Sequence, residues 1–215
     1  MKNRWPAERF MLFHWMWEFA DLYRFRSRAL ALAYGLFEET MGVRGGAMSR
    51  EELQCYACAA LSLASKFEGA GAAGPPDLLY EMADATEDAY HRLDLTGAEL
   101  DIVVDANWRV HRRLLYDDLG EAVGNDPLLW KVSVCVLLHA QMAGCDVGIQ
   151  DVLDVAEALR LGTNAREGLG KRPRKLLETI EANAAQSEPY CYHARDTFRA
   201  AGRSWRAAEQ PSSGQ

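Results

Sequence analysis

No stretch of this 215-residue sequence strings together the roughly 18 apolar residues that a membrane-spanning helix requires. The first apolar segment is broken by Arg9, His14, Glu18 and Asp21, so it reads as neither a span nor a signal sequence. Sustained period-two alternation is missing, and so are the Asn-Gly and Asp-Gly pairs that turn hairpins, so strands are not expected. Histidine is scarce: His14, His91, His111, His139 and His193 form no H-E-x-x-H. There is no Walker loop and no G-x-S-x-G. An enzyme is therefore the remotest reading, and no cofactor is expected. Positive charge is also short. With 24 Lys and Arg against 31 Asp and Glu, the formal net charge is −7. Nucleic-acid binding needs cations arranged against phosphates, so that partner is not expected. The one local basic cluster is Lys171, Arg172, Arg174 and Lys175, for which a solvated helix end is the simpler reading.

Cysteine occurs five times, and the odd count, without a signal-peptide pattern, points to an intracellular, reducing compartment. Cys55 and Cys58 form a single CxxC inside an apolar run. A structural zinc site needs four ligands, so these read as small packed residues and no metal is expected.

What is present is helical periodicity. Residues 8–24 put Met11, Leu12, Trp15, Phe19, Leu22 and Tyr23 on one face. Residues 27–41 make a second helix, with Ser27 as N-cap. Ser49 and Glu52 form an S-x-x-E capping box that opens a third helix, running to about Phe67. Its two faces, Leu53, Ala57, Ala60, Leu61 and Ala64 against Cys55, Cys58, Ala59, Ser62 and Leu63, are both small or apolar. Such a helix is surrounded by others, so this one is expected at the centre of an all-α domain. It ends in a charged cluster, Lys66-Phe67-Glu68, before a glycine-rich loop. A proline-led helix to about Ala85 follows. The next is expected from Thr96, with Glu99 completing a second capping box, through about Tyr116. Residues 120–127 read as a linker. Helices are expected at 128–143, 149–160, 173–186 and 190–207, and the tail has a disordered composition. LSLASK at 61–66 and LLHAQM at 137–142 echo each other, as do LLYEMADA at 78–85 and VLDVAEA at 152–158. Two copies of one helical unit would give this, and so would chance likeness between apolar helices.

Three segments together resemble the cyclin family. ERFMLFHWMWEF at 8–19 is similar to the family's opening helix, M-R-x-x-L-x-D-W-L-x-E-V, with Arg9, Leu12, Trp15 and Glu18 in place. LQCYACAALSLASKFEG at 53–69 is similar to L-Q-x-x-x-x-x-A-x-x-L-A-S-K-x-E-E. PPDLLYEMADATEDAY at 75–90 is similar to the proline-led fourth helix. The implied fold is an all-α, five-helix cyclin box over 8–119. A shorter, degenerate second helical repeat over 120–207 and a disordered tail at 208–215 follow.

The resemblance implies a regulatory subunit, not an enzyme, that binds and activates a cyclin-dependent kinase by favouring its active conformation. It implies a soluble protein of the nucleus and/or cytoplasm. Lys66, Phe67 and Glu68 match the kinase-contacting cluster. In the family the lysine bonds backbone carbonyls of the kinase and pairs with a fifth-helix glutamate. Counting back from Tyr116 puts that glutamate at Asn107, so Asp105 is the expected partner. Gly69 replaces a second glutamate. Arg9 has a structural role in the family, paired with an aspartate where this chain has His14, and must find another acid here. Met11, Trp15, Glu18, Leu53 and Gln54 match a patch that docks Arg-x-Leu substrates and inhibitors, although the apolar ones also fit a core. The alternative is a cyclin-fold adaptor or decoy, including a transcription-type module, that binds a partner without activating it. There is no KEN tripeptide, and R-x-x-L matches such as those at Arg112 and Arg174 fall in predicted helices.

Overall fold

The computed structural model describes residues 6–68, 77–87, 89–161 and 168–186. Within them the chain forms nine helices and no strand: α1 Pro6–Leu22, α2 Ser27–Arg44, α3 Arg50–Glu68, α4 Leu78–Ala85, α5 Arg92–Asp105, α6 Leu115–Val123, α7 Pro127–Met142, α8 Ile149–Leu161 and α9 Lys171–Gln186. They divide into two compact units, the break falling between Leu114 and Leu115.

In the first unit α3 is the central element. It packs against α1, α2, α4 and α5, and Leu53, Ala57, Cys58, Ala59, Ala60, Leu61, Ser62, Leu63 and Ala64 are all buried. Small side chains on every face allow four neighbours to approach at once. The Ser49–Glu52 box opens this helix. Glu52 N donates to Ser49 Oγ at 3.2 Å, and Ser49 N donates to Glu52 Oε2 at 2.7 Å. Burial pushes the Cys55 thiol up to about 11 and that of Cys58 higher still, so both stay protonated near neutral pH. Aromatic packing ties α1 to α2: the Phe13 and Tyr34 rings lie 4.2 Å apart, and the buried Tyr34 hydroxyl donates to Phe13 O at 2.7 Å.

Several expected boundaries move. The N-cap of α2 is Arg26 rather than Ser27, which is the first helical residue. Asp77 caps α4, its side chain accepting from Tyr80 N at 3.2 Å. The largest change is at α5. It starts at Arg92, four residues before Thr96, and His91 N donates to Asp94 Oδ2 at 2.9 Å. Thr96 is interior, its hydroxyl donating back to Arg92 O at 2.9 Å. The helix stops at Asp105 because Asn107 and Trp108 turn left-handed, at φ 49° and 63°. Their N–H groups close onto Val104 O and Val103 O, both at 2.9 Å. Tyr116 therefore belongs to a separate helix, α6. Arg112 lies in the non-helical segment before it, while Arg174 is helical as expected.

In the second unit Asp126 caps α7, accepting from Leu129 N at 2.9 Å and Leu128 N at 3.0 Å, with Arg160 on its other oxygen at 2.8 Å. Those N–H groups, Leu129's first, and the Arg160 charge hold its carboxyl below the usual range. Val136, Leu137, Ala140 and Met142 of α7 are buried, and α7 packs against α6, α8 and α9. The predicted helix at 190–207, the tail, Gly69 and the Pro75-Pro76 pair lie outside the described residues. Gly69, Gly71 and Gly74 do keep a G-x-G-x-x-G spacing, but a helix precedes them where a dinucleotide site needs a strand.

Candidate functional site

The end of α3 meets the middle of α5. Lys66 is the last basic residue of α3, and its ammonium lies 2.6 Å from both carboxylate oxygens of Glu99. Glu99 is buried, while the Lys66 side chain is 48% exposed. Glu99 sits on the inner stripe of α5 with Leu95, Ala98 and Ile102, at steps of three and four. The pair therefore joins a fixed carboxylate to an ammonium that still reaches solvent. An ammonium has three donors, so at least one remains for an outside acceptor.

Large apolar side chains are also exposed at the end of α3 and along and just after α5. Phe67, Leu100, Val104 and Trp108 are all exposed, Trp108 at 72%. Leu100 and Val104 are one turn apart on α5, and the left-handed turn after Asp105 presents Trp108 at the helix end. A tryptophan with positive φ is uncommon and carries a steric cost.

Two members of the expected cluster face inward. Asp105 is not the partner of Lys66. Its side chain, 7% exposed, takes a two-pronged bond from Arg44 of α2, at 2.5 Å and 3.1 Å. Arg44 also reaches Asp101 at 3.0 Å, and Asp101 accepts from Tyr56 at 2.6 Å, so this group ties α2, α3 and α5 together. The bond to Asp105 keeps the Arg44 guanidinium pKa above its ordinary value. Burial, then the bond to Asp101, pushes Tyr56 up to about 12. Glu68 pairs with Arg28 of α2, so its carboxylate is already engaged within the unit. Arg28 continues to Arg112 O at 3.2 Å, and Arg112 reaches Glu39 at 2.5 Å.

Arg9 does find another acid. It is buried, pairs with Glu38 of α2 and lies over the Phe13 ring at 4.5 Å. His14 is 3.7 Å from Glu18. In the expected docking patch Met11 is exposed, and Trp15, Glu18 and Gln54 are half-buried. Leu53 is only 1% exposed. It belongs to the core of α3, so it does not line an open cleft as expected.

Glu99 was the residue that sequence reasoning misassigned. T-x-x-E beginning at Thr96 imitates a capping box and so gives Glu99 to a helix start, while the count from Tyr116 fails because Tyr116 lies beyond the end of α5. The signal that finds Glu99 is an acid on an apolar stripe, where a buried carboxylate requires a partner.

Residues 2–111, just over half the chain, match the family model described as cyclin, N-terminal domain. No curated protein matches the chain. Among solved structures, a viral cyclin from herpesvirus saimiri superposes with a TM-score of 0.61 at 14% identity, covering 85% of this chain and 86% of that one. At that identity the likeness is one of fold.

Proposed function

This chain belongs to the cyclin family, and from that premise we propose that it binds a cyclin-dependent protein kinase through the Lys66 end of α3 and the exposed face of α5. The observation that carries the reading is the Lys66–Glu99 pair. Glu99 fixes the ammonium in direction, and its remaining donor capacity suits backbone carbonyls of a partner. Phe67, Leu100, Val104 and Trp108 supply the apolar area that such a contact buries, and aromatic anchors commonly carry most of the energy of an interface. Glu68 and Asp105 act behind this surface, holding α3 and α5 to α2 through Arg28 and Arg44.

Activation follows if the chain prefers the active kinase conformation to the inactive one, since a ligand shifts an equilibrium only by its differential affinity. A fifth-helix glutamate on Lys66, here Glu99, supports the activating reading over the non-activating adaptor. Docking of Arg-x-Leu peptides on α1 is favoured by exposed Met11 with half-buried Trp15 and Glu18, over a floor that Leu53 closes.

The test is a phosphorylation assay with purified cyclin-dependent kinases. The wild-type chain should bind one of them and raise its activity, while Lys66→Glu should lose both effects and keep its helical content. Binding with no rise in activity would establish the adaptor instead, and unchanged binding by Lys66→Glu would remove this surface from the interface.

A further inference from the structure

The basic cluster Lys171-Arg172-Pro173-Arg174-Lys175 has no part in the partner site described above. In an acidic chain it gathers four cations into five residues, and all four are exposed. It also sits where a helix least favours it. These residues form the first turn of α9, which contains no acid, so the cations face the positive end of the helix dipole. A local choice that opposes its own secondary structure calls for another reason to be there.

We propose that residues 171–175 are a nuclear-import signal, read as a basic peptide by an import receptor with an acidic, aromatic-lined groove. Short Lys/Arg-rich runs have this role because each ammonium or guanidinium meets a carboxylate while its methylene stem lies on an aromatic ring. The geometry allows the segment to be presented. Leu176, Leu177 and Ile180 anchor α9 in the core, whereas the first turn contributes only Pro173. The leading N–H groups of a helix have no intrahelical partner, and proline has no N–H at all. Presenting the segment as an extended peptide gives up the Arg174 N to Gly170 O bond of 3.0 Å, the helical bonds accepted by the carbonyls of residues 171–175 and the burial of Pro173, a cost confined to the start of the helix. The existing ties of the cluster are exchangeable. Arg172 donates to Asp146 O at 3.2 Å and lies 3.7 Å from Asp151, and Arg174 donates to Leu169 O at 3.3 Å. The side chains of Lys171 and Lys175 make no ion pair among the described residues. A nucleic-acid strand would require cations spread along a face, with aromatic platforms between them; here they stop after five residues.

The inference is independent of kinase binding. The experiment uses the full chain fused to a reporter too large to diffuse through nuclear pores, in cultured eukaryotic cells. Wild type should accumulate in the nucleus, and K171A/R172A/R174A/K175A should lose that accumulation. Lys171→Glu with Lys175→Glu should lose it too. Acids near a helix N-terminus favour the helix, so unfolding would not explain that loss. Lys171→Arg with Lys175→Arg should retain it, and so should Lys66→Glu, which separates import from carriage by a kinase. Purified wild-type chain should bind a purified import receptor, and the Glu variant should not. Equal nuclear accumulation of wild type and the Glu variant overturns the proposal, as does a cluster that binds duplex oligonucleotide and not the receptor.

Discussion

Helices α3 and α7 are the buried centres of their units, and they end differently. Leu61 and Ala64 of α3 are fully enclosed, and so are Leu137 and Ala140 at the echoing positions of α7. Five residues after Leu61 stands Lys66, half in solvent on Glu99; five after Leu137 stands Met142, 1% exposed. The same kind of helix thus serves in one unit as a scaffold that delivers a charge to the surface and in the other as core alone. What separates a charged, half-exposed end from packing is the last turn, together with the neighbouring carboxylate that makes a charge there tolerable.

The harshest way to break this comparison is to give α7 the lysine. Met142→Lys buries an ammonium with no Glu99 beside it and should destabilise the second unit by about 3 kcal/mol or more, read by chemical denaturation. Equal stability would mean that the unit holds a carboxylate or solvent path for it. Next, Arg44→Met removes the partner of nearly buried Asp105 and should cost roughly 2–4 kcal/mol, with loss of thermal stability in the first unit. A fall below about 0.5 kcal/mol would place that group among ordinary surface pairs. Smaller again, Glu99→Gln keeps the shape and removes the charge. It should cost about 1 kcal/mol of stability but weaken kinase binding several-fold, because Lys66 loses its fixed direction.

Smallest is the alkaline limb of the first unit. Between an ordinary tyrosine pKa of 10.0 and the value near 12 that Tyr56 has when folded, the unfolded chain ionises and the folded one does not. Unfolding then releases a proton, so the stability contributed by Tyr56 is complete below pH 10 and declines as pH rises toward 12. Tyr23, bonded to Glu81, behaves alike. Tyr56→Phe should flatten part of that decline in urea midpoints measured from pH 9 to pH 12, and an unaltered slope would assign the effect elsewhere.

The centrality of α3 is legible in the amino-acid sequence, because small apolar residues all round a helix have no other stable placement. The Ser49–Glu52 cap and the order of the helices are legible for the same local reasons. Lys66 is singled out by its sequence surroundings, and its geometry agrees with a directed, half-exposed donor. The partner of Lys66 is not legible. Thr96 and Glu99 carry a start signal inside a helix already begun at Arg92, and local chemistry cannot tell a cap from an interior pair. Leu53 fails differently. A leucine at helical spacing fits a cleft or a core equally, and only the packing of α1 on α3 decides. Trp108 escapes sequence reasoning because its exposure depends on where α5 stops, which two left-handed residues determine, and Leu100 and Val104 escape it because apolar side chains on the outer face of a helix read as core.

The most direct measurement is the affinity of Lys66→Ala and Trp108→Ala, singly and together, for a cyclin-dependent kinase found to bind the wild-type chain. Each should raise Kd by about tenfold or more, with a thermal midpoint close to wild type, as expected when interface anchors are truncated. Wild-type affinity in the double variant would contradict the assignment of α3 and α5 as the docking surface.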